Sequence, residues 1–137
     1  MGTFCKSFLK ISVLTFILFS SCSKDNDNVL PITRVSLTGT WMVNESGKKS
    51  TYEVIIQIDS TSTTRVLIWN LAGSGYYVKT LANLSDNILA ITNNERLANG
   101  WIVNGSGTIS SPTLMNWTYS INDGADLTTY KAVFTKK

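Results

Sequence analysis

The chain has 137 residues, with 12 basic and nine acidic side chains, two cysteines and no histidine. The missing histidine excludes the usual Ser/His/Asp and Cys/His nucleophile arrangements and zinc ligation by imidazole. Residues 36–137 carry eight basic and seven acidic side chains, so the net charge of +3 comes mostly from the N-terminal region and indicates no nucleic-acid partner. We therefore expect a protein that is not an enzyme and needs no metal or cofactor.

The first 21 residues have the layout of a secretory signal peptide. Lys6 and Lys10 form a short positive region, residues 11–19 are mainly apolar, and two small serines precede Cys22. The apolar run is shorter than the roughly 20 residues that a membrane-spanning helix needs. We predict that residues 1–21 are removed on export. An ordinary signal peptide, with Cys22 as an incidental thiol, is the alternative.

The residues at this cleavage point resemble a lipidation motif. Phe19-Ser20-Ser21-Cys22 is similar to the lipobox of bacterial lipoproteins, in which small residues precede a cysteine that carries a diacylglyceryl thioether. The resemblance implies that Cys22 is the lipidation site and attaches the protein to a membrane. Because Cys5 leaves with the signal peptide, Cys22 is the sole cysteine of the exported chain and no internal disulfide can form.

Residues 22–35 are predicted to be the lipidated cysteine and a flexible tether, because the run is polar and aperiodic. Within it, Lys24-Asp25-Asn26-Asp27 resembles the acidic export tag of Bacteroidota lipoproteins, which implies a location on the outer membrane, facing the cell exterior. The same run also fits a solvated spacer. The periplasmic side of the outer membrane therefore stays open.

Residues 36–137 are predicted to form one all-β domain. The second predicted strand is the clearest, with Tyr52, Val54, Ile56 and Ile58 on one face and polar residues on the other. The predicted strands are, in chain order, residues 39–43, 51–58, 64–71, 76–82, 88–92, 101–110, 113–121 and 127–135. The longest connection, residues 93–100, has room for one helical turn. Eight short strands without a crossover helix indicate an antiparallel meander.

Closure of this meander into a barrel removes two exposed sheet edges, and we therefore predict an eight-stranded up-and-down barrel. A β-sandwich is the alternative. A membrane-spanning barrel is disfavoured, because its strands need about 9 to 11 residues and an apolar outer band. Gly105-Ser106-Gly107 lies inside a predicted strand, where glycine indicates a bend or a close backbone approach, not a phosphate site.

Gly39-Thr40-Trp41, at the start of the predicted barrel, resembles the Gly-x-Trp sequence that opens lipocalin and avidin barrels, the calycin group. The resemblance implies that Trp41 lies across one end of the barrel under a basic side chain from the last strand, for which Lys131 is the candidate. With the anchor, the chain resembles the small lipocalin-like, or calycin-like, lipoproteins of Bacteroidota. This resemblance implies the fold of the chain, but it assigns no ligand-binding residues to it.

We expect a surface-exposed lipoprotein whose non-catalytic barrel binds a small apolar ligand or a protein partner. The alternative is a structural or accessory lipoprotein with a filled barrel and no ligand. Alternate connections of a meander lie at the same end, so residues 73–75, 93–100 and 122–126 are predicted to frame one mouth, near Trp69 and Trp101. An enclosed apolar pocket of about 300 Å³ or more favours binding, and a filled interior favours the alternative.

Overall fold

The computed structural model describes residues 30–137. The predicted signal peptide, the lipidation site Cys22 and the acidic run after it lie outside the described residues. Within residues 30–137, no helix is long and apolar enough to cross a membrane.

Residues 30–137 contain one short α-helix, one 3₁₀ helix at Leu71–Gly73 and nine strands. The elements are α1 (Arg34–Leu37), β1 (Gly39–Glu45), β2 (Tyr52–Ile58), β3 (Arg65–Trp69), β4 (Lys79–Ser85), β5 (Ile88–Ile91), β6 (Glu95–Arg96), β7 (Ile102–Ser111), β8 (Leu114–Asn122) and β9 (Leu127–Lys136). All eight predicted strands occur, although the fourth begins at Lys79 and not at residue 76. The longest predicted connection, residues 93–100, contains the two-residue strand β6 and not a helical turn.

The strands close into an antiparallel barrel. Strand β1 pairs with β2 on one side and with β9 on the other, and β5 pairs with β7 to complete the ring. The wall therefore has eight strands, and β6 adds only a short pairing to β7. The predicted barrel and its pairing of the first strand with the last are confirmed, and the β-sandwich alternative is wrong. The architecture is consistent with a lipocalin-like fold.

Large side chains fill the interior of the barrel. Alternate residues of each strand point inward, as the period of two requires, and Trp41, Trp117, Tyr119 and Phe134 are among the largest fully buried groups. The Trp117 and Phe134 rings stack with their centroids 5.3 Å apart. The interior of the barrel is thus a packed core, because an eight-stranded barrel is just wide enough for its own side chains.

The barrel has two distinct ends. Strand β1 runs away from α1, so the end formed by α1 and by residues 59–64, 86–87 and 112–113 is called the N-terminal end. The opposite end, called the mouth end, is formed by the connections at residues 46–51, 70–78, 92–101 and 123–126. The three connections that were predicted to lie together do lie together.

Helix α1 shows that the folded domain begins before the predicted boundary at Ser36. The Thr33 hydroxyl accepts a hydrogen bond from the Ser36 backbone N–H at 3.1 Å, and the Ser36 hydroxyl accepts one from the Thr33 N–H at 3.0 Å. This reciprocal cap satisfies donors that a helix start otherwise leaves free. Arg34 adds a hydrogen bond from Nη1 to the Ser62 carbonyl at 2.6 Å. The segment Thr33–Leu37 is therefore part of the domain and not of a tether.

Trp41 is buried at the N-terminal end, but its basic neighbour is Lys136 and not the predicted Lys131. Lys136 lies opposite Trp41 in the β1–β9 register, and its Nζ is 5.9 Å from the indole centroid. The same Nζ donates a hydrogen bond to the Ser36 carbonyl at 2.8 Å. Lys131 pairs with Thr118 and is exposed on the outer wall. The two lysines are an odd number of residues apart, so a strand directs them to opposite faces.

Candidate binding site at the mouth end

A pocket of about 330 Å³ lies at the mouth end of the barrel. Three of the mouth connections and the ends of β8 and β9 contribute to its wall. Its lining residues are Lys48, Ala72, Gly73, Ser74, Leu97, Ala98, Asn99, Trp101, Ile121 and Tyr130. The pocket is open to solvent, because Lys48, Asn99 and Trp101 are exposed, and its wall combines apolar and polar side chains.

Trp101 and Asn99 also line a second depression of about 310 Å³. Its wall is more polar and includes Arg96, Asn122 and Asp123. Trp101 is 41% exposed, a large value for a tryptophan within an ordered domain. A half-exposed indole shared by two depressions is a suitable contact surface for a ligand, because it offers a wide apolar face and one N–H donor.

The connection at residues 70–78 is held in place by a buried side chain, Asn70. Its Nδ2 donates to the Glu53 carbonyl at 2.7 Å, and its Oδ1 accepts from the Gly75 N–H at 2.7 Å. Asn70 itself has φ of 64° and Ala72 has φ of 57°, so the tight turn predicted at residues 73–75 is a longer loop with two non-glycine residues in the left-handed region. This loop forms one wall of the pocket.

The connection at residues 92–101 is fixed in a similar way by Glu95. Its Oε2 accepts a hydrogen bond from the Leu81 N–H at 2.9 Å, and its Oε1 accepts one from the Thr92 hydroxyl at 2.6 Å. Arg96 Nη1 then donates to the Gly100 carbonyl at 2.8 Å. These bonds order the connection that presents Trp101, so the pocket is largely formed before any ligand binds.

A buried carboxylate, Glu45, lies beneath the pocket at the end of β1. Its Oε1 accepts hydrogen bonds from the hydroxyls of Tyr52, at 2.7 Å, and Tyr119. Its Oε2 forms an ion pair with Lys48. Lys48 Nζ also lies 5.0 Å from the ring centroid of Tyr130, which stacks on Tyr119 at 5.4 Å. The cluster thereby connects the barrel interior to two residues of the pocket wall.

The protonation states in this cluster follow from its contacts. Burial acts to raise the pKa of Glu45, but hydrogen bonds from Lys48, Tyr119 and Tyr52 outweigh it and lower the pKa below its ordinary value of 4.5. Burial is the largest cause that raises the pKa of Tyr52 and of Tyr119. At neutral pH the carboxylate is therefore ionised and both phenols are protonated. The ion pair with Glu45 positions Lys48 at the pocket wall.

The structure separates the residues that the sequence analysis selected. Gly39 and Trp41 lie at the N-terminal end, away from the pocket, and Lys131 lies on the outer wall. Trp69 donates from Nε1 to the Gln57 side chain at 3.0 Å and does not line the pocket. Trp101 does line it. Of these five residues, Trp101 alone contributes to the pocket wall.

Glu45 and Lys48 were not predicted as site residues. The sequence did contain a signal for Glu45, because the alternation that starts at Trp41 reaches Glu45 if the first strand continues past residue 43. The structure shows that β1 does continue to Glu45. Lys48 had no comparable signal, since its position depends on how the β1–β2 connection folds over β9.

Residues 30–137 contain no group of three or more acidic, histidine or cysteine side chains that could hold a metal ion. No protein-family model matches the chain. No curated protein matches it either.

Proposed function

We propose that the protein is a small lipocalin-like lipoprotein of the Bacteroidota type, attached to the outer membrane through a lipid on Cys22 and facing the cell exterior. Its barrel is a non-catalytic binding module whose ligand site is the pocket at the mouth end. The layout of residues 1–27 supports the anchor and the location. The closed barrel supports the family resemblance.

The observation that supports the binding role is the pocket of about 330 Å³ at the mouth end, which has the volume expected of a binding site but is open to solvent and not enclosed. This volume is near the lower limit of small-molecule sites, about 300 to 1,000 Å³. Because the interior is packed, the ligand sits among the mouth connections and not deep in the barrel. The wall favours a small ligand with an apolar body against Trp101 and Leu97 and one acidic group near Lys48, whose ammonium has three donors.

Calorimetric titration of the unlipidated Cys22→Ser protein with octanoate, a small apolar acid, tests this role. We expect saturable binding that weakens about tenfold or more in Ala98→Trp, because the added ring occupies the pocket from its exposed rim. Asn93→Trp is the matched control, since Asn93 lies in the same connection but does not line the pocket. Equal binding by all three proteins would place the ligand elsewhere.

A second candidate function is favoured by the packed core. A barrel filled by Trp41, Trp117 and Phe134 is what a structural or accessory lipoprotein without a ligand requires. The pocket and the protruding Trp101 would then contact a protein partner or nothing. Absence of saturable binding by octanoate and by larger apolar compounds would favour this alternative.

A further inference from the structure

The exposed large apolar residues of 30–137 separate by type between the two ends of the barrel. The aromatic ones, Tyr76, Tyr77 and Trp101, lie in connections of the mouth end. Most of the aliphatic ones lie at the N-terminal end, and these are Leu30, Val35, Ile58, Ile88 and Leu114. Two aliphatic residues are exceptions, Leu127 at the mouth end and Val133 on the wall. We call the five aliphatic residues the N-terminal patch.

Topology brings the N-terminal patch together from distant parts of the sequence. Ile58 is the last residue of β2, Ile88 is the first of β5 and Leu114 is the first of β8. Each of these positions is at the N-terminal end, because neighbouring strands are antiparallel. Val35 and Ile58 also line a depression of about 350 Å³, together with Leu84. Because β2, β5 and β8 are not neighbouring strands, Ile58, Ile88 and Leu114 are spread around the rim of the N-terminal end.

The exposure of Val35 is enforced by its neighbours. Arg34 Nη1 donates to three backbone carbonyls, those of Asp59 at 3.2 Å, Ser62 at 2.6 Å and Arg65 at 3.2 Å. Leu37, on the other side of α1, is fully buried, and its carbonyl accepts a hydrogen bond from Trp41 Nε1 at 2.9 Å. With both sides of the helix held, Val35 stays 68% exposed.

We propose that the N-terminal patch rests on the lipid surface to which Cys22 attaches the chain. The inference depends on the proposed lipid anchor. Leu30 is the eighth residue after Cys22, so the tether reaches at most about 29 Å when fully extended. The end of the barrel that the tether holds closest to the lipid is thus the end with the aliphatic residues. This docking points the mouth end, with Trp101, away from the membrane.

Fluorescent labels on the full-length lipidated protein test the orientation. The Cys22 sulfur is consumed by the thioether, so a single introduced cysteine is the only free thiol of the exported chain. The label is placed at position 35 or 88 with Val35→Cys or Ile88→Cys, and at the mouth end with Leu127→Cys. Leu127 is a matched control, because it is aliphatic and, like Val35, 68% exposed.

The proteins are bound to phosphatidylcholine vesicles with and without brominated acyl chains. We expect bromine to quench the labels at positions 35 and 88 about twofold or more and to leave the label at 127 unchanged, because an interfacial apolar contact reaches the headgroup and acyl boundary. Val35→Asp, combined with the label at 88, should abolish that quenching while the protein stays on the vesicles. Equal quenching at all positions, or quenching only at 127, overturns the docking.

Two further outcomes separate this inference from the proposed function. A protein that carries no lipid and does not float with the vesicles contradicts the anchor itself. A protein that floats with the vesicles, but whose labels at 35 and 88 are not quenched by bromine, contradicts the docking alone. If those labels instead quench each other between copies, the patch binds a second copy of the chain and the lipid contact is wrong.

Discussion

At the scale of single residues, Glu45 has the largest electrostatic consequence for the barrel. A carboxylate moved from water into the interior loses its hydration, which costs several kcal/mol unless hydrogen bonds replace the lost water. Tyr52, Tyr119 and Lys48 supply those bonds from three different parts of the chain. Glu45 therefore ties β2, β8 and the β1–β2 connection together, directly below the proposed ligand site.

Glu45→Gln should destabilise the protein by about 1 to 3 kcal/mol at pH 7, because an amide replaces a charged acceptor of buried hydrogen bonds. The pKa of Glu45 is lowered in the folded state, so its contribution is present above the unfolded value of about 4.5 and is lost as the pH falls through the lower folded pKa. The free energies of unfolding of wild type and variant should thus converge as the pH falls below the lowered folded-state pKa of Glu45. Urea unfolding followed by tryptophan fluorescence at pH 7, 5, 4 and 3 measures this.

Two features make this comparison specific. Asp59 and Asp123 also have lowered pKa values, through hydrogen bonds from Thr61 and from backbone N–H groups respectively, so acid sensitivity of the wild type alone proves nothing about Glu45. The difference in the free energy of unfolding between wild type and Glu45→Gln isolates the contribution of Glu45. Glu53→Gln, which removes a surface ion pair with Lys137, should change the free energy of unfolding by less than about 1 kcal/mol. A pH-independent difference for Glu45→Gln would contradict the assignment.

At the scale of elements, the β7–β8 hairpin depends on glycine in the middle of β7. Gly105 pairs with Tyr119, and Gly107 pairs with Trp117. A Cβ at Gly105 would overlap the β8 backbone, and one at Gly107 would overlap the Trp117 indole. Glycine weakens a strand intrinsically, but here the missing Cβ atoms leave the space in which Trp117 and Tyr119, two of the largest buried residues, pack in the core. The predicted close backbone approach at Gly105-Ser106-Gly107 is confirmed.

Gly107→Ala should lower the free energy of unfolding by about 1 to 3 kcal/mol, because the methyl group displaces the Trp117 ring in a packed core. Ser106→Ala, at the exposed position between the two glycines, should change it by less than about 0.5 kcal/mol. Urea unfolding at pH 7 compares both with the wild type. If the two substitutions have equal effects, the space at Gly107 is not occupied by Trp117 as the structure describes.

At the scale of the whole molecule, closure of the barrel determines where every end and connection lies. The β1–β9 and β5–β7 pairings leave no long open edge in residues 30–137, which protects the domain from edge-to-edge association. The same closure puts the chain entry and α1 at one end and the pocket at the other. An anchor on Cys22 is thereby compatible with a ligand site that faces away from the membrane.

Cys22→Ala should abolish lipid labelling, because the thioether has no other attachment atom in the exported chain. The product is expected as an unprocessed precursor or as a soluble exported protein. Cys5→Ala is the control, since Cys5 lies in the predicted signal peptide and its loss should leave labelling intact. Incorporation of labelled palmitate and fractionation of membranes measure both variants. A Cys22→Ala protein that remains lipid-labelled and membrane-bound would contradict the lipoprotein proposal.

The sequence by itself determined the fold class and the positions of the strands. Alternation of apolar and polar residues, as in Tyr52 to Ile58, depends only on the local pleat of a strand, so it is readable without knowledge of the partner strand. The closed barrel followed from the number of strands and from the disadvantage of open edges. Even Glu45 was within reach, because the alternation that includes Trp41 and Val43 leads to it.

Only the tertiary structure decided which residues meet across the barrel. The choice between Lys131 and Lys136 as the neighbour of Trp41 depends on the register of β9 against β1. A shift of one residue in that register moves every side chain of β9 to the opposite face of the sheet. The pocket is likewise formed by connections that meet only after the ring closes. Periodicity reports the face of a side chain within its own strand, whereas register and loop conformation arise from contacts between distant segments, and those contacts place Lys48, Trp101 and Tyr130 together.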